Sequence, residues 1–256
     1  MIRTLATSLT LCFLLGWAAE AFAQVNTESM RRLDTDGFSM RLSGNMALQQ
    51  GNSNVFEVDG GGRIDYRVRQ QYVFLNTSSR FARSDGGTFR NRSFAHLRYN
   101  YDFTERVTGE AFTQIERDAF TLLRARWLVG TGPRFRWAQT ERWHLFQGTT
   151  LMHEYEALDE SEISGRPPDE NRIRWSNYVN AQLQLTENSE LNVTVYVQPW
   201  LSDFSDIRIL NEALLSFALT RHVSFQTGFD LRYDSNPAAE VQPLDIALRQ
   251  GLVLTL

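Results

Sequence analysis

Leu191-Asn192-Val193-Thr194-Val195-Tyr196-Val197-Gln198 changes character at every step. Apolar residues fall on odd numbers and polar ones, with one tyrosine, on even numbers. Successive side chains of an extended strand point to opposite faces, so this octet reads as a strand with one greasy face and one wet face. The same period runs on both sides of it. Upstream, Ile173, Trp175, Val179, Ala181, Leu183 and Leu185 alternate with Arg172, Arg174, Ser176, Asn180, Gln182 and Gln184. Downstream, Val223, Phe225, Phe229, Leu231 and Tyr233 alternate with Ser224, Gln226, Asp230, Arg232 and Asp234. Leu248, Leu252, Leu254 and Leu256 end the sequence in the same phase.

The pattern predicts twelve strands, at 37–50, 54–67, 70–83, 88–103, 106–117, 120–137, 141–156, 171–185, 189–201, 206–219, 222–234 and 245–256. No segment has a helical period. Most of these strands are ten residues or longer. Soluble strands average about five or six residues, whereas a tilted strand crossing a bilayer needs about nine to eleven. Connections also alternate. Short ones repeat a threonine theme: Phe103-Thr104-Glu105-Arg106, Thr140-Glu141-Arg142, Leu185-Thr186-Glu187-Asn188 and Leu219-Thr220-Arg221-His222. The others are longer or richer in Gly, Ser and Asp: Gly51-Asn52-Ser53-Asn54, Ser84-Asp85-Gly86-Gly87-Thr88, 157–170 and the stretch from Ser235. Short turns on one side and longer loops on the other mark an outer-membrane barrel, with the short turns periplasmic. The fold class predicted is therefore all-β, a single antiparallel up-and-down transmembrane β-barrel of about twelve strands. The alternative is an exported soluble β-barrel or sandwich with the apolar face as its core.

Composition agrees. The 256 residues are 42% hydrophobic and 22% charged, with a net charge of −4, which disfavours nucleic acid as a partner. All 26 basic residues are Arg. After Phe22 no apolar run reaches the length of a transmembrane helix. The first 23 residues read as a signal peptide: Arg3, the apolar stretch Leu9 to Ala19, then Ala21-Phe22-Ala23 as the cleavage signal. The remaining division is a periplasmic segment at 24–36 and the barrel at 37–256. The sole cysteine, Cys12, lies in the leader, so the mature chain has no disulfide, thiol nucleophile or cysteine metal site.

The wet phase is unusually charged. Arg90, Arg92, His96 and Arg98 share one face, Arg124, Arg126, Arg134 and Arg136 another, and Arg172 and Arg174 open the eighth segment. Carboxylates of the same phase are Glu57, Asp59, Asp65, Glu110, Glu116, Glu212, Asp230 and Asp234, with Arg232 among them. Neighbouring strands bring such groups about 5 Å apart, and Arg meets carboxylate through parallel hydrogen bonds. A lumen of ion pairs is expected, densest along segments four to six. It reads either as a filled polar interior or as an Arg-lined passage for ions or small solutes. Arg249, Gly251, Leu254 and Leu256 resemble the terminal-strand signal read by the outer-membrane assembly machinery, with Leu where Phe is usual.

Leu48-Gln49-Gln50-Gly51-Asn52-Ser53, Leu97-Arg98-Tyr99-Asn100-Tyr101 and Leu231-Arg232-Tyr233-Asp234-Ser235-Asn236-Pro237, in this order and spacing, resemble the YdiY-like salt-induced outer-membrane proteins grouped as domain of unknown function 481. The resemblance spans about 37–256, with Ser53 where that family commonly has Thr. It implies an outer-membrane barrel of this size and no catalytic or ligand residues.

No catalytic set, metal site or cofactor is predicted. A hydrolase at the outer rim would have to use His153 with Glu154 and Glu156, and His153 is in the outward phase. Glu154, Glu156, Asp159, Glu160 and Glu162 read as an acidic stretch of the longest loop, without regular ligand spacing. The expected partners are outer-membrane lipid, lipopolysaccharide and the assembly machinery, for a chain inserted as a monomer.

Overall fold

The computed structural model describes residues 36–51, 53–159, 167–238 and 241–254. The expected signal peptide, most of the expected periplasmic segment, Glu160, Glu162 and Leu256 lie outside them. The strands are β1 (Gly37–Gln49), β2 (Val55–Val68), β3 (Gln71–Ser84), β4 (Gly87–Asp102), β5 (Val107–Asp118), β6 (Leu123–Gln139), β7 (Trp143–Leu158), β8 (Asp169–Thr186), β9 (Ser189–Trp200), β10 (Asp203–Ala218), β11 (Val223–Asp234) and β12 (Leu244–Leu254). They form one twelve-stranded sheet in sequence order, each strand antiparallel to the next. Among the described residues no ladder joins β1 to β12.

Threonine explains the short turns. Thr104 Oγ1 accepts from the backbone N–H of Arg106 at 3.2 Å and of Val107 at 3.0 Å. Thr140 does the same for Arg142 and Trp143, and Thr220 for His222 and Val223. Each hydroxyl satisfies backbone donors that leave the ladder at the bend. On the opposite end the loops are unequal. Asp85-Gly86 and Leu201-Ser202 are two-residue connections, so the asymmetry rests on the loops after β1, β7 and β11. There Asp85 accepts from the Asn54 side chain at 2.9 Å and from its backbone N–H at 3.0 Å. These bonds hold its carboxyl below the usual range. The tie between the two loops is thus present above the carboxyl's unfolded pKa and weakens as the pH falls through its lowered folded value.

One segment is not strand. Ala119–Thr121 forms a single 3-10 turn, capped by Asp118, whose Oδ1 accepts from Phe120 N at 3.0 Å. The register shifts on both sides of it, between Glu116 and Asp118 and between Leu123 and Ala125.

Burial is inside out. Among the described residues, fourteen buried residues are apolar and twenty-six are polar or charged, Arg174, Glu110, Glu154 and Glu156 among them. The exposed face carries Leu42, Met46, Trp127, Val129, Leu151, Trp175, Ile246 and Leu248. Contacts on the charged face reach over several strands, from β5 to β8 and from β7 to β10. Adjacent strands lie about 5 Å apart, so the sheet is curled around that face.

Candidate functional site

The inner face is built around four carboxylates and four guanidinium groups. Glu156 on β7 accepts from Arg126 Nη2 at 2.6 Å and from Arg208 Nη2 at 2.8 Å. Arg208 on β10 also donates to Glu154 and, through Nε, to Asp234 Oδ2 at 2.8 Å. Arg174 on β8 donates to Glu154 Oε1 at 3.2 Å and to Asp206 Oδ1 at 2.7 Å. Arg172 Nε stands 3.4 Å from Asp206 Oδ2. Toward β4 the chain continues through Glu116, 3.8 Å from Arg126 and hydrogen-bonded to Arg92 at 2.8 Å. Signs alternate along the whole run, so each buried charge has opposite charge beside it, which its burial demands.

This run divides the space inside the curl of the sheet. A cavity of about 50 Å³ lies toward the loops, walled by Leu123, Leu158, Pro237, Ala238 and Val241. A second of about 30 Å³ lies nearer the middle of the strands, among His96, Gln114, Thr150 and Ser176. Arg126 and Arg208 line both, so their ion pairs form a septum between them.

Below the septum, Tyr178 on β8 donates to Glu110 Oε2 on β5 at 3.1 Å. The reach crosses two strands, and glycine permits it. A Cβ at Gly148 would lie 2.0 Å from the Tyr178 ring. Gly132, opposite Glu110, also leaves its place on β6 without a side chain. Gly148→Val should therefore expel a ring that is 3% exposed and remove the Tyr178 hydroxyl from Glu110. The expected loss is about 1–3 kcal/mol in urea unfolding of the refolded protein. An unchanged midpoint would show that the ring can rest elsewhere. His96 lies between Phe74, Phe94 and Phe112, with Nδ1 3.1 Å from Gln114 Oε1.

Of the charged residues expected inside, Arg92, His96, Arg98, Glu110, Glu116, Arg126, Arg134, Arg172, Arg174, Asp230 and Arg232 are buried or nearly so. Arg98 and Arg134 stand 3.5 Å and 4.0 Å from Glu110. Arg136 approaches the Phe146 ring. Glu212 pairs with Arg232 at 3.6 Å. Arg90 is half-buried opposite Ala82. Arg124 is a correction. The register shift between Leu123 and Ala125 makes it a bulge residue, and it turns outward to Asp169 at 3.0 Å with its side chain 50% exposed.

Glu154 and Glu156 are a second correction. They belong to β7, in agreement with the expected strand at 141–156 and against the acidic-loop reading, and they are the hub of the septum. The densest pairing consequently lies on β6, β7, β8 and β10 rather than on β4 to β6. Arg208 and Asp206 went unread, although Ile207 and Ile209 flank Arg208 in an alternating run. Arg249, assigned above to the terminal-strand signal, pairs with Asp230 at 2.6 Å. His153 is exposed on the outer face, whereas Glu154 and Glu156 point inward, so the three do not converge.

The indole donors of the outer face are satisfied within the sheet. Trp127 Nε1 donates to Thr113 at 2.8 Å, Trp175 Nε1 to Thr149 at 2.7 Å and Trp137 Nε1 to Gln147 at 2.9 Å. Exposed indoles in water need no such partners; in hydrocarbon an unpaired donor is costly.

A twelve-stranded antiparallel sheet, apolar outside and ion-paired inside, defines the class. The chain belongs to a family of proteins of unknown function, DUF481, whose model matches residues 44–256. A comparison with curated proteins finds no match. Among solved structures it is similar to a NanC porin, at 11% identity over 85% of this chain and 99% of that one, with a TM-score of 0.49. It is similar to a KdgM porin at 9% identity, 86% and 99% coverage and a TM-score of 0.39. A bacterial polysaccharide outer membrane secretin is similar at 8% identity, 84% and 89% coverage and a TM-score of 0.44.

Proposed function

We propose that the chain is a non-enzymatic outer-membrane β-barrel of a Gram-negative envelope, surrounded by lipid and lipopolysaccharide and inserted as a monomer by the barrel assembly machinery. The observation that carries this reading is the inverted burial: large apolar side chains outside and ion pairs inside. A continuous outer face of this kind in water is an aggregation surface far larger than soluble monomers tolerate. In a bilayer it is the stable side, and only a closed sheet leaves no unpaired edge there. Closure is therefore assigned to β1 against β12, whose outward stripes Phe38, Met40, Leu42 and Leu244, Ile246, Leu248 continue the apolar wall.

The test is gel mobility with fractionation. A closed barrel fractionates with the outer membrane and migrates faster unheated than boiled in dodecyl sulfate. A protein found in the soluble periplasm, or one whose mobility ignores heating, is the exported soluble sandwich or an open sheet instead. A second reading, a channel for ions or small solutes, has its own support. The inward phase of β1 is polar, with Arg41, Ser43 and Asn45, and would line a water-filled passage. Steady single-channel steps in planar bilayers favour that reading, and a silent membrane removes it.

A further inference from the structure

We infer that the outer wall holds a binding site for one lipopolysaccharide molecule, with a phosphate on Arg117 and an acyl chain in the trough that β5 and β6 form beneath that arginine. The inference deepens the barrel reading and rests on it. That reading turns this face to lipid and puts the end of β5 remote from the short turns in the outer leaflet, where the lipid is lipopolysaccharide.

The trough is set by the outward phase of neighbouring strands. On β5 that phase is Val107, Gly109, Ala111, Thr113, Ile115 and Arg117. On β6, Thr131 pairs with Ala111. Ala111, Thr113 and Thr131 are short. On one side Tyr99 and Leu97 of β4 pair with Ala111 and Thr113, and on the other Leu151 of β7 pairs with Thr131. Short side chains between tall ones leave an outward hollow of about 610 Å³, far larger than either cavity inside the curl. The floor hydroxyls are already engaged. Thr113 Oγ1 accepts from the Trp127 indole at 2.8 Å, and Thr131 Oγ1 donates to the Glu110 carbonyl at 2.8 Å. The hollow therefore offers methyl and ring surface, which suits a methylene chain.

Arg117 supplies the other end. It is exposed and is the one charged residue in the outward phase of β5, and its guanidinium meets no carboxylate among the described residues. Its level on the wall is polar. It pairs with Ser93 on β4, and across the register shift it faces the bulge that turns Arg124 outward to Asp169. A strand rises about 3.4 Å per residue and tilts about 45° in a bilayer, so Ala111, six residues from Arg117, lies about 14 Å deeper. Half of a hydrocarbon core of about 30 Å is about 15 Å. The trough thus ends near the depth at which the chains of one leaflet end, and the arginine stands at headgroup level. Its fork takes two phosphate oxygens through parallel hydrogen bonds while its stem lies along the apolar wall.

The experiment is native mass spectrometry of the detergent-refolded protein. It is titrated with deep-rough lipopolysaccharide, with the same material stripped of phosphate, and with a phosphatidylglycerol. Wild type should hold one lipopolysaccharide. Arg117→Gln should hold it about tenfold more weakly, the scale of one hydrogen-bonded charge. Ala111→Phe fills the trough without changing charge and should weaken it similarly. Arg83→Gln removes an exposed arginine at the corresponding end of β3, away from the trough, and should bind as wild type does. All three changes lie on the outer face, so the inner ion pairs stand in each variant. No adduct, equal retention of the dephosphorylated lipid or of the phosphatidylglycerol, or unchanged binding by Arg117→Gln or Ala111→Phe overturns the inference. Heat-modifiable mobility of the same preparations reports the barrel separately, so the two failures are distinguishable.

Discussion

Arg208→Ala should lower the unfolding free energy of the refolded protein by about 3–5 kcal/mol, the scale for breaking a buried ion pair from one side. Arg208 is 3% exposed and serves Glu154, Glu156 and Asp234, which come from two strands. Removing it leaves three carboxylates around a void, with Arg126 and Arg174 still hydrogen-bonded to the two glutamates and Arg172 4.0 Å from Glu156. The penalty is the desolvation already incurred by the partners rather than the worth of the bonds themselves. Arg124→Ala is the matched comparison, because its pair with Asp169 is half exposed on both sides. Such a pair contributes about 0–1 kcal/mol. Urea titrations followed by tryptophan fluorescence should separate the two variants clearly. Equal midpoints would mean that the septum is solvated and that Arg208 is not a hub.

The same septum marks the limit of what the alternating pattern could tell. Phase along a strand decides which face a side chain takes, and Arg126, Arg172 and Arg174, which share the polar phase, are buried. Phase fails where the strand gains a residue. Arg124 has the same parity as Arg126, yet the bulge between Leu123 and Ala125 sends it out. The expected start of the sixth strand at residue 120 fails for a related reason. Phe120 and Leu122 alternate with threonine as a strand would, but Asp118 caps a 3-10 turn and Leu122 adopts φ 58°. A run of acids resembles a loop, so Glu154 and Glu156 were grouped with Asp159 although Tyr155 between them keeps the strand period. Bonds between distant strands are invisible to nearest-neighbour reasoning. Nothing in the sequence links Tyr178 to Glu110 without the glycine at Gly148 that lets the ring lie across β7. Strand ends were legible because threonine turns and period two are both local. β9 is expected at 189–201 and observed as Ser189–Trp200.

Leu151→Arg should separate a lipid-facing wall from a wet one more sharply than any change inside. Leu151 sits at the middle of β7 and is 57% exposed, with Val129, Ile173 and Trp175 around it on the outer face. If that face meets water, an arginine there displaces nothing and fills no void, and surface substitutions of this kind stay within about 0.5 kcal/mol. If it meets acyl chains at the midplane, the charge costs about 2–4 kcal/mol, falling toward about 0–1 near the interfaces. Depth is therefore the control. Glu105→Arg, in the short turn between β4 and β5, changes charge by more and should cost almost nothing. Both variants are folded into lipid vesicles and unfolded in urea beside wild type. A loss confined to Leu151→Arg puts the apolar stripe against hydrocarbon. A loss equal in the two, or absent from both, would place that stripe in water and return Leu151 to the surface of a soluble sandwich. The indole bonds of Trp127 and Trp175 argue for the first outcome, since each retires a donor that hydrocarbon could not satisfy.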